Sequence, residues 1–217
     1  MTHTDIVVTR WWLIRHAPPI NPDRRIYGQS DIPVDTGDTA SYAGLAAALP
    51  TDAAWVVTHL LRTQETAAAI HAARGGLPPA HHVERDLAEQ HFGEWQGLTH
   101  DELNAGRPAE AHRFWLAPAT ERPPGGESFT QVVTRVGAVL DRLSERHAGR
   151  DVVAVAHGGP IRAALTVALG IDAEAALRFR IDTLSLTRLD HLRLPDRTAV
   201  WRVAGVNLPP GTVLPPL

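Results

Sequence analysis

Three short runs in this chain are apolar on successive residues and rich in β-branched side chains: WWLI at 11–14, AWVVT at 54–58 and DVVAVA at 151–156. A strand of that kind has no face to turn toward water, so it belongs inside a sheet covered on both sides, which is the environment of parallel strands. Stretches of helical period lie between the runs, and strand alternating with helix is the pattern of an α/β chain. Two later segments, 184–189 and 199–206, alternate more and read as an antiparallel edge pair. The expected fold class is α/β: a three-layer α/β/α sandwich with a mostly parallel sheet and an antiparallel edge strand.

The helices fill the gaps. Asp38 to Leu49 is alanine-rich and ends at Pro50, and Leu61 to Ala73 stops at Gly75-Gly76. Ser128 to His147 places Val132, Val136, Val139, Leu140 and Leu143 on one helical face. Pro160 to Leu169 follows the third run directly. The stretch 92–126 differs, mixing Trp95, Phe114 and Trp115 with Pro108, Pro118, Pro123 and Pro124. It reads as a helical insertion over one end of the sheet, within a single domain spanning 1–217. The proline-rich segment from Pro209 to Leu217 reads as a loose end.

Composition narrows the chemistry. With 217 residues the chain can bury roughly 70% of its unfolded surface and needs no covalent staples. It contains 12 histidines and no cysteine, which excludes disulfides, thiolate metal sites and a cysteine nucleophile. A net charge of -3 gives no field to hold a polyanion, so nucleic acid is not an expected partner. Apolar runs fall far short of the ~18 residues that span a bilayer, and residues 1–10 lack a signal-peptide pattern. The expected location is cytoplasmic, with no membrane partner.

Two histidines stand at the carboxyl ends of interior runs, where open α/β sheets bind ligands: His16 and His157. Either one alone reads as a hydrogen-bonded structural residue, and their neighbours change that. Arg15 precedes His16, and His157 is followed by Gly158-Gly159, which lets backbone approach a ligand and opens a helix whose N-terminus favours anions. Arg62 lies one turn into the helix after the second run; by itself it reads as a solvated partner of Glu65. Two arginines, two imidazoles and a helix N-terminus at one sheet edge describe a phosphate pocket.

These residues sit in LIRHAPP, T-x-L-x-R-T-x-x-T-A (58–67), LAEQHFGEWQG, PGGESF and AHGGPIR. In that order and at those separations they resemble the histidine phosphatase superfamily, the phosphoglycerate mutase-like family, over residues 11 to about 206. The resemblance implies a phosphoglycerate mutase-like fold and transfer through a phosphohistidine without metal or other cofactor. His16 matches the nucleophile, and Arg15, Arg62 and His157 match the remaining pocket residues. Turnover is expected to depend on Arg62 more than folding does. Glu89 matches the general acid, a carboxyl that must hold a proton to protonate a leaving alkoxide; Glu94, five residues on, is its competitor. Asn21, Tyr27, Gly28 and Asp31 resemble the loop after the nucleophile, with Asn21 and Gly28 as phosphate contacts. Thr58 and Gly158 join them. The chain departs from the family at Ala17-Pro18-Pro19 and at Thr58-His59, where glycine, an acid-threonine pair and serine-proline are usual.

Family mutases carry a longer insertion and a tail that closes the site, and the shortness of both here favours hydrolysis. RHAP, YGQSDIPV and PPGGESF most resemble the branch containing α-ribazole phosphatase; sugar phosphates, phosphoserine and a broad ester range are the alternatives. Trp95, Arg113 and Trp115, with His112 and Phe114, are the residues to line the leaving-group pocket, or to form the core of the insertion. Two rival readings are a catalytically silent phospho-ligand binder and a histidine-ligated metalloenzyme. The first conflicts with retention of Arg15, His16, Arg62, Glu89 and His157. The second rests on the histidine count alone. The expected partner is a small phosphomonoester, and an exposed edge strand near 199–206 leaves a homodimer open.

Overall fold

The computed structural model describes residues 6–76, 80–105 and 115–214. Six strands form one sheet in the order β3-β2-β4-β1-β5-β6. They are β1 (Val7–Arg15), β2 (Ala53–Val57), β3 (His82–Val83), β4 (Asp151–Ala156), β5 (Leu186–Arg193) and β6 (Ala199–Leu208). The first four are mutually parallel, β5 runs antiparallel to β1, and β6 antiparallel to β5.

The helices are α1 (Thr39–Ala48), α2 (Leu61–Ala73), α3 (His100–Ala105), α4 (Phe129–Arg146), α5 (Gly158–Leu169) and α6 (Ala173–Ala176). Asp38 caps α1, and a reciprocal capping box joins Ser128 to Gln131 at the start of α4. Successive residues of β1 serve opposite faces. Trp11 and Leu13 pack with Val152, Ala154 and the apolar stripe of α4, while Trp12 and Ile14 pack with Val153, Val155, Tyr42, Leu45 and Ile70. This is why the interior runs read as apolar throughout: both faces of β1 and β4 are core.

The three interior runs are strands, and the differences lie at their ends and edges. β1 begins four residues before Trp11, because Val7 to Arg10 find partners in β5 and β4 that no local pattern reveals. Thr9 is buried there, its hydroxyl donating to the Ser144 carbonyl at 3.2 Å. β3 is a fourth parallel strand of two residues, too short to leave a periodicity. Within the described part of 92–126, helix is confined to a 3-10 turn at Gly93–Trp95 and to α3.

The loose tail is corrected for Pro209 to Leu214. Gly44 of α1 leaves room for the Pro210-Gly211 backbone, where a Cβ would stand 2.9 Å from the Gly211 nitrogen, and Leu214 packs on the core with Tyr42 and Leu45. Among the described residues no helix is long and apolar enough to cross a membrane.

Candidate active site

His16 is the first residue beyond β1, and its N–H donates to the Ala156 carbonyl at the end of β4 (3.0 Å). The imidazole is fully buried. Its Nδ1 lies 2.7 Å from the Ala17 carbonyl oxygen. A carbonyl only accepts, so Nδ1 carries the proton and Nε2 keeps its lone pair. Nε2 has no hydrogen-bond partner among the described residues. Burial, then the charges of Arg62 and Arg15, push the imidazole well below its ordinary pKa, against the opposing Ala17 hydrogen bond. The ring is therefore neutral at neutral pH.

The unusual Ala17-Pro18-Pro19 loop holds this ring in place. Ala17 N–H donates to Thr66 Oγ1 (2.9 Å), the Asp35 N–H donates to the Pro18 carbonyl (2.8 Å), and Pro19 bridges to Val34.

His157 is the first residue beyond β4 and stands at the N-cap of α5, its ring centroid 5.2 Å from that of His16. Arg62 Nε donates to its Nδ1 (3.2 Å), which leaves the proton on Nε2 for donation to Thr58 Oγ1 (3.0 Å). Both ring nitrogens are thus engaged. Burial first, then Arg62 and His16, hold His157 well below its ordinary pKa as well.

Arg62 is wholly buried. It donates through Nη1 to the Ser30 carbonyl (2.9 Å) and through Nη2 to the Gly28 carbonyl (2.5 Å), with its guanidinium 5.0 Å over the Tyr27 ring. Asp31 accepts from the Leu61 N–H at 2.8 Å and so satisfies the first turn of α2, which carries Arg62. Gly28 has φ +46, and a Cβ there would stand 2.4 Å from Gln96 Oε1. Arg15 donates through Nη1 to the Ile181 carbonyl (2.6 Å), and its buried Nε has no partner among the described residues.

Glu89 follows the 3-10 turn at Arg85–Leu87 and is buried. Its Oε1 accepts from the Gln90 N–H (2.9 Å) and from the Gly159 N–H at the start of α5 (3.1 Å). Glu94, the competitor, is exposed. Arg15, Tyr27, Gly28, Glu89 and Trp115 wall a cleft of about 460 Å³, with Arg25, Phe92 and His100 also lining it.

Arg15, His16, Thr58, Arg62, Glu89, His157 and Gly158 therefore meet at the carboxyl ends of β1, β2 and β4, and Gly28 and Trp115 join them from the loops. Asn21 does not: its amide donates to the Arg25 carbonyl (2.8 Å) and accepts from the Arg25 N–H (3.1 Å), closing its own turn. Trp95 packs on Ile26, Phe92 and Leu103 instead of lining the cleft. Arg113, His112 and Phe114 lie outside the described residues. Among the described residues, no three metal-ligating side chains converge.

Some contributors carried no role from sequence. Thr66 and Thr63 hold the Ala17 and Thr58 backbones, and Gly159 both donates to Glu89 and makes room for it. Their only signal was membership of the motifs. A Cβ on Gly159 would stand 2.3 Å from Glu89 Oε1. Gly159→Ala is accordingly expected to displace Glu89 and lower kcat by roughly 10–100-fold, while thermal stability is retained, because alanine suits a helix. Unchanged turnover of this variant would separate Glu89 from the chemistry.

The model for the histidine phosphatase superfamily (branch 1) matches residues 11–202. A bifunctional protein of Mycobacterium tuberculosis is 36% identical over 183 residues, 82% of this chain and 49% of its own length. The chain thus spans about half the length of that relative. The probable phosphoglycerate mutase GpmB of Yersinia pestis is 33% identical over 198 residues, 88% of each chain. Among solved structures, a mycobacterial glucosyl-3-phosphoglycerate phosphatase superposes with a TM-score of 0.78 at 28% identity, covering 93% of this chain and 99% of its own. The α-ribazole phosphatase of Shigella flexneri superposes with a TM-score of 0.70 at 27% identity, covering 91% and 96%.

Proposed function

The chain belongs to the histidine phosphatase superfamily (branch 1), and from that we propose that it is a phosphomonoester hydrolase working through a phosphohistidine, with no metal required. The observation that carries the reading is His16: a neutral ring, its proton fixed on Nδ1 by Ala17, and an unpartnered Nε2 beside two guanidinium groups. Nε2 attacks phosphorus and the ester P–O bond breaks. Negative charge on the equatorial oxygens is met by Arg15, Arg62 and the N-terminus of α5 at Gly158. His157 acts through Arg62 and Thr58, fixing the donors' positions. Glu89 gives its proton to the leaving alkoxide, then takes one from the water that attacks the phosphohistidine. The products are the alcohol and inorganic phosphate, and His16 is restored.

Hydrolysis is favoured over mutase action by two phosphatases among the structural relatives that cover this chain almost end to end. For the alcohol, α-ribazole phosphate stands on the motif resemblance and on the flat face of Trp115 in the cleft wall. Phosphorylated sugars, phosphoserine and a broad ester range stand beside it.

The test is p-nitrophenyl phosphate hydrolysis in excess chelator, with rapid quenching after exposure to ³²P-labelled substrate. Full activity and an acid-labile, base-stable label on the protein are expected. Activity that vanishes with chelator, or turnover with no such label, would overturn the mechanism.

A further inference from the structure

The segment that carries Glu89 has little structure of its own. Between the 3-10 turns at Arg85–Leu87 and Gly93–Trp95 it is irregular chain, so the place of the carboxylate is set by what ties that chain to its neighbours. The N–H groups of Gln90 and Gly159 hold the carboxylate end. The backbone end is held by a side chain that has no task in the scheme above, Arg135 of α4. Its Nη1 donates to the Asp86 carbonyl (2.6 Å) and its Nη2 to the Glu89 carbonyl (3.2 Å). Gln29 Nε2 donates to the same Glu89 carbonyl (2.8 Å) from the loop after His16.

Glu127 fixes the guanidinium in turn. Arg135 Nε donates to Glu127 Oε2 (3.0 Å) and Nη2 to Oε1 (2.8 Å), a two-pronged pair that sets the plane of the group. Oε1 also accepts from the His91 N–H (2.9 Å), and the Glu127 N–H donates to the His91 carbonyl (2.9 Å). One ion pair therefore grips the chain at Asp86, at Glu89 and at His91. It is rooted in the core, because Arg135 lies between Val132 and Val136, both fully buried. What sets the pair apart is where its donors go: past Glu127, to the main chain of the acid's own segment. A proton is delivered along a hydrogen-bond line, and a misplacement of ~1 Å can cost about 10²-fold in rate.

We propose that Arg135, held by Glu127, is a positioning residue for general-acid catalysis: it fixes the main chain at Glu89 so that the carboxyl faces the leaving oxygen. The proposal rests on the phosphatase reading, in which Glu89 supplies that proton. Arg135 does not line the cleft, and its effect runs through Glu89.

A positioning role has a signature that a purely structural one lacks, because leaving groups differ in their need for the proton. p-Nitrophenolate leaves as a stable anion, whereas phenolate is the stronger base and gains far more from protonation as it leaves. Since kcat/KM reports the step in which the ester bond breaks, it is measured on p-nitrophenyl phosphate and phenyl phosphate for the parent, Glu89→Gln, Arg135→Gln and the double variant. Glu89→Gln is expected to lose about tenfold more, or beyond, on phenyl phosphate than on p-nitrophenyl phosphate. Arg135→Gln should show a gap in the same direction of about three- to tenfold, and in the double variant the gap should stay that of Glu89→Gln. Arg135→Lys, which keeps the charge without the fork, should show a smaller gap than Arg135→Gln. Equal losses on the two esters from Arg135→Gln, or a gap that widens in the double variant, overturn the proposal. If Arg135→Gln fails to fold by circular dichroism, Arg135→Lys decides: a gap supports the proposal and equal losses overturn it. Equal losses from Glu89→Gln would instead remove Glu89 as the acid, and turnover of neither ester by the parent would sink the phosphatase reading; the proposal falls with either.

Discussion

Replacing His16 by alanine is expected to lower kcat for p-nitrophenyl phosphate by about 10⁴-fold or more, the scale on which removal of a covalent nucleophile acts. No neighbouring group can stand in. His157, whose ring centroid lies 5.2 Å from that of His16, has both its nitrogens engaged, with Arg62 and with Thr58. The phosphorylated-protein signal should vanish together with turnover, while the variant keeps its fold. His16 makes one side-chain hydrogen bond, to the carbonyl of the next residue, and its loss leaves no buried charge behind. Steady-state kinetics with rapid-quench labelling checks this. Residual activity above about one per cent of the parent, with the label retained on another residue, would remove His16 from the nucleophile's role.

Arg62→Ala is expected to lower kcat/KM by roughly 10²–10³-fold, as removal of a preorganised oxyanion donor does. The structure adds a second effect that revises the expectation from sequence that turnover suffers more than folding. Arg62 also ties the Gly28 and Ser30 carbonyls to His157 Nδ1 from a fully buried position. Leaving those acceptors unpaired costs about 2 kcal/mol or more, equivalent to a Tm lower by roughly 4–8 °C in a chain of this size. Calorimetric melting alongside kinetics separates the two effects. A melting temperature within about 1 °C of the parent would mean that the loop from Gly28 to Ser30 does not depend on Arg62.

What the sequence disclosed follows from where information is local. The central strands were legible because both of their faces are core, which leaves a run of apolar residues whatever the partners are. The start of β1 was not, because Thr9 and Arg10 become strand only through Ser144, Asp151 and β5, all distant in sequence. Strand ends placed Arg15, His16 and His157 at the carboxyl edge of the sheet, where the structure has them, since the end of a strand fixes where such residues project. The motif match favoured Glu89 over Glu94 without revealing their surroundings, which differ: Glu89 is buried beside Gly159 and Glu94 is exposed. Asn21 had the right neighbourhood and the wrong orientation, because its amide finds the Arg25 backbone first. Arg162 was visible in AHGGPIR, but only the fold shows its Nη1 beside Gly158 and its guanidinium over Trp115.

β1 is hydrogen-bonded along both sides, to β4 and to β5, and the bonding continues past its end. The Arg15 N–H donates to the Ser185 carbonyl, the Leu184 N–H to the Arg15 carbonyl, and the His16 N–H to the Ala156 carbonyl. Exposing the amide of His16 to solvent exchange therefore requires separating the middle of the sheet, an opening close in free energy to global unfolding. The facing wall is built differently: Glu89 and Trp115 sit on irregular chain, Glu89 just after the 3-10 turn at Arg85–Leu87, and such chain opens in smaller cooperative units. On the proposed mechanism, the breathing that admits an ester and lets phosphate leave is expected to fall to that wall, with the backbone of His16 held still through the cycle.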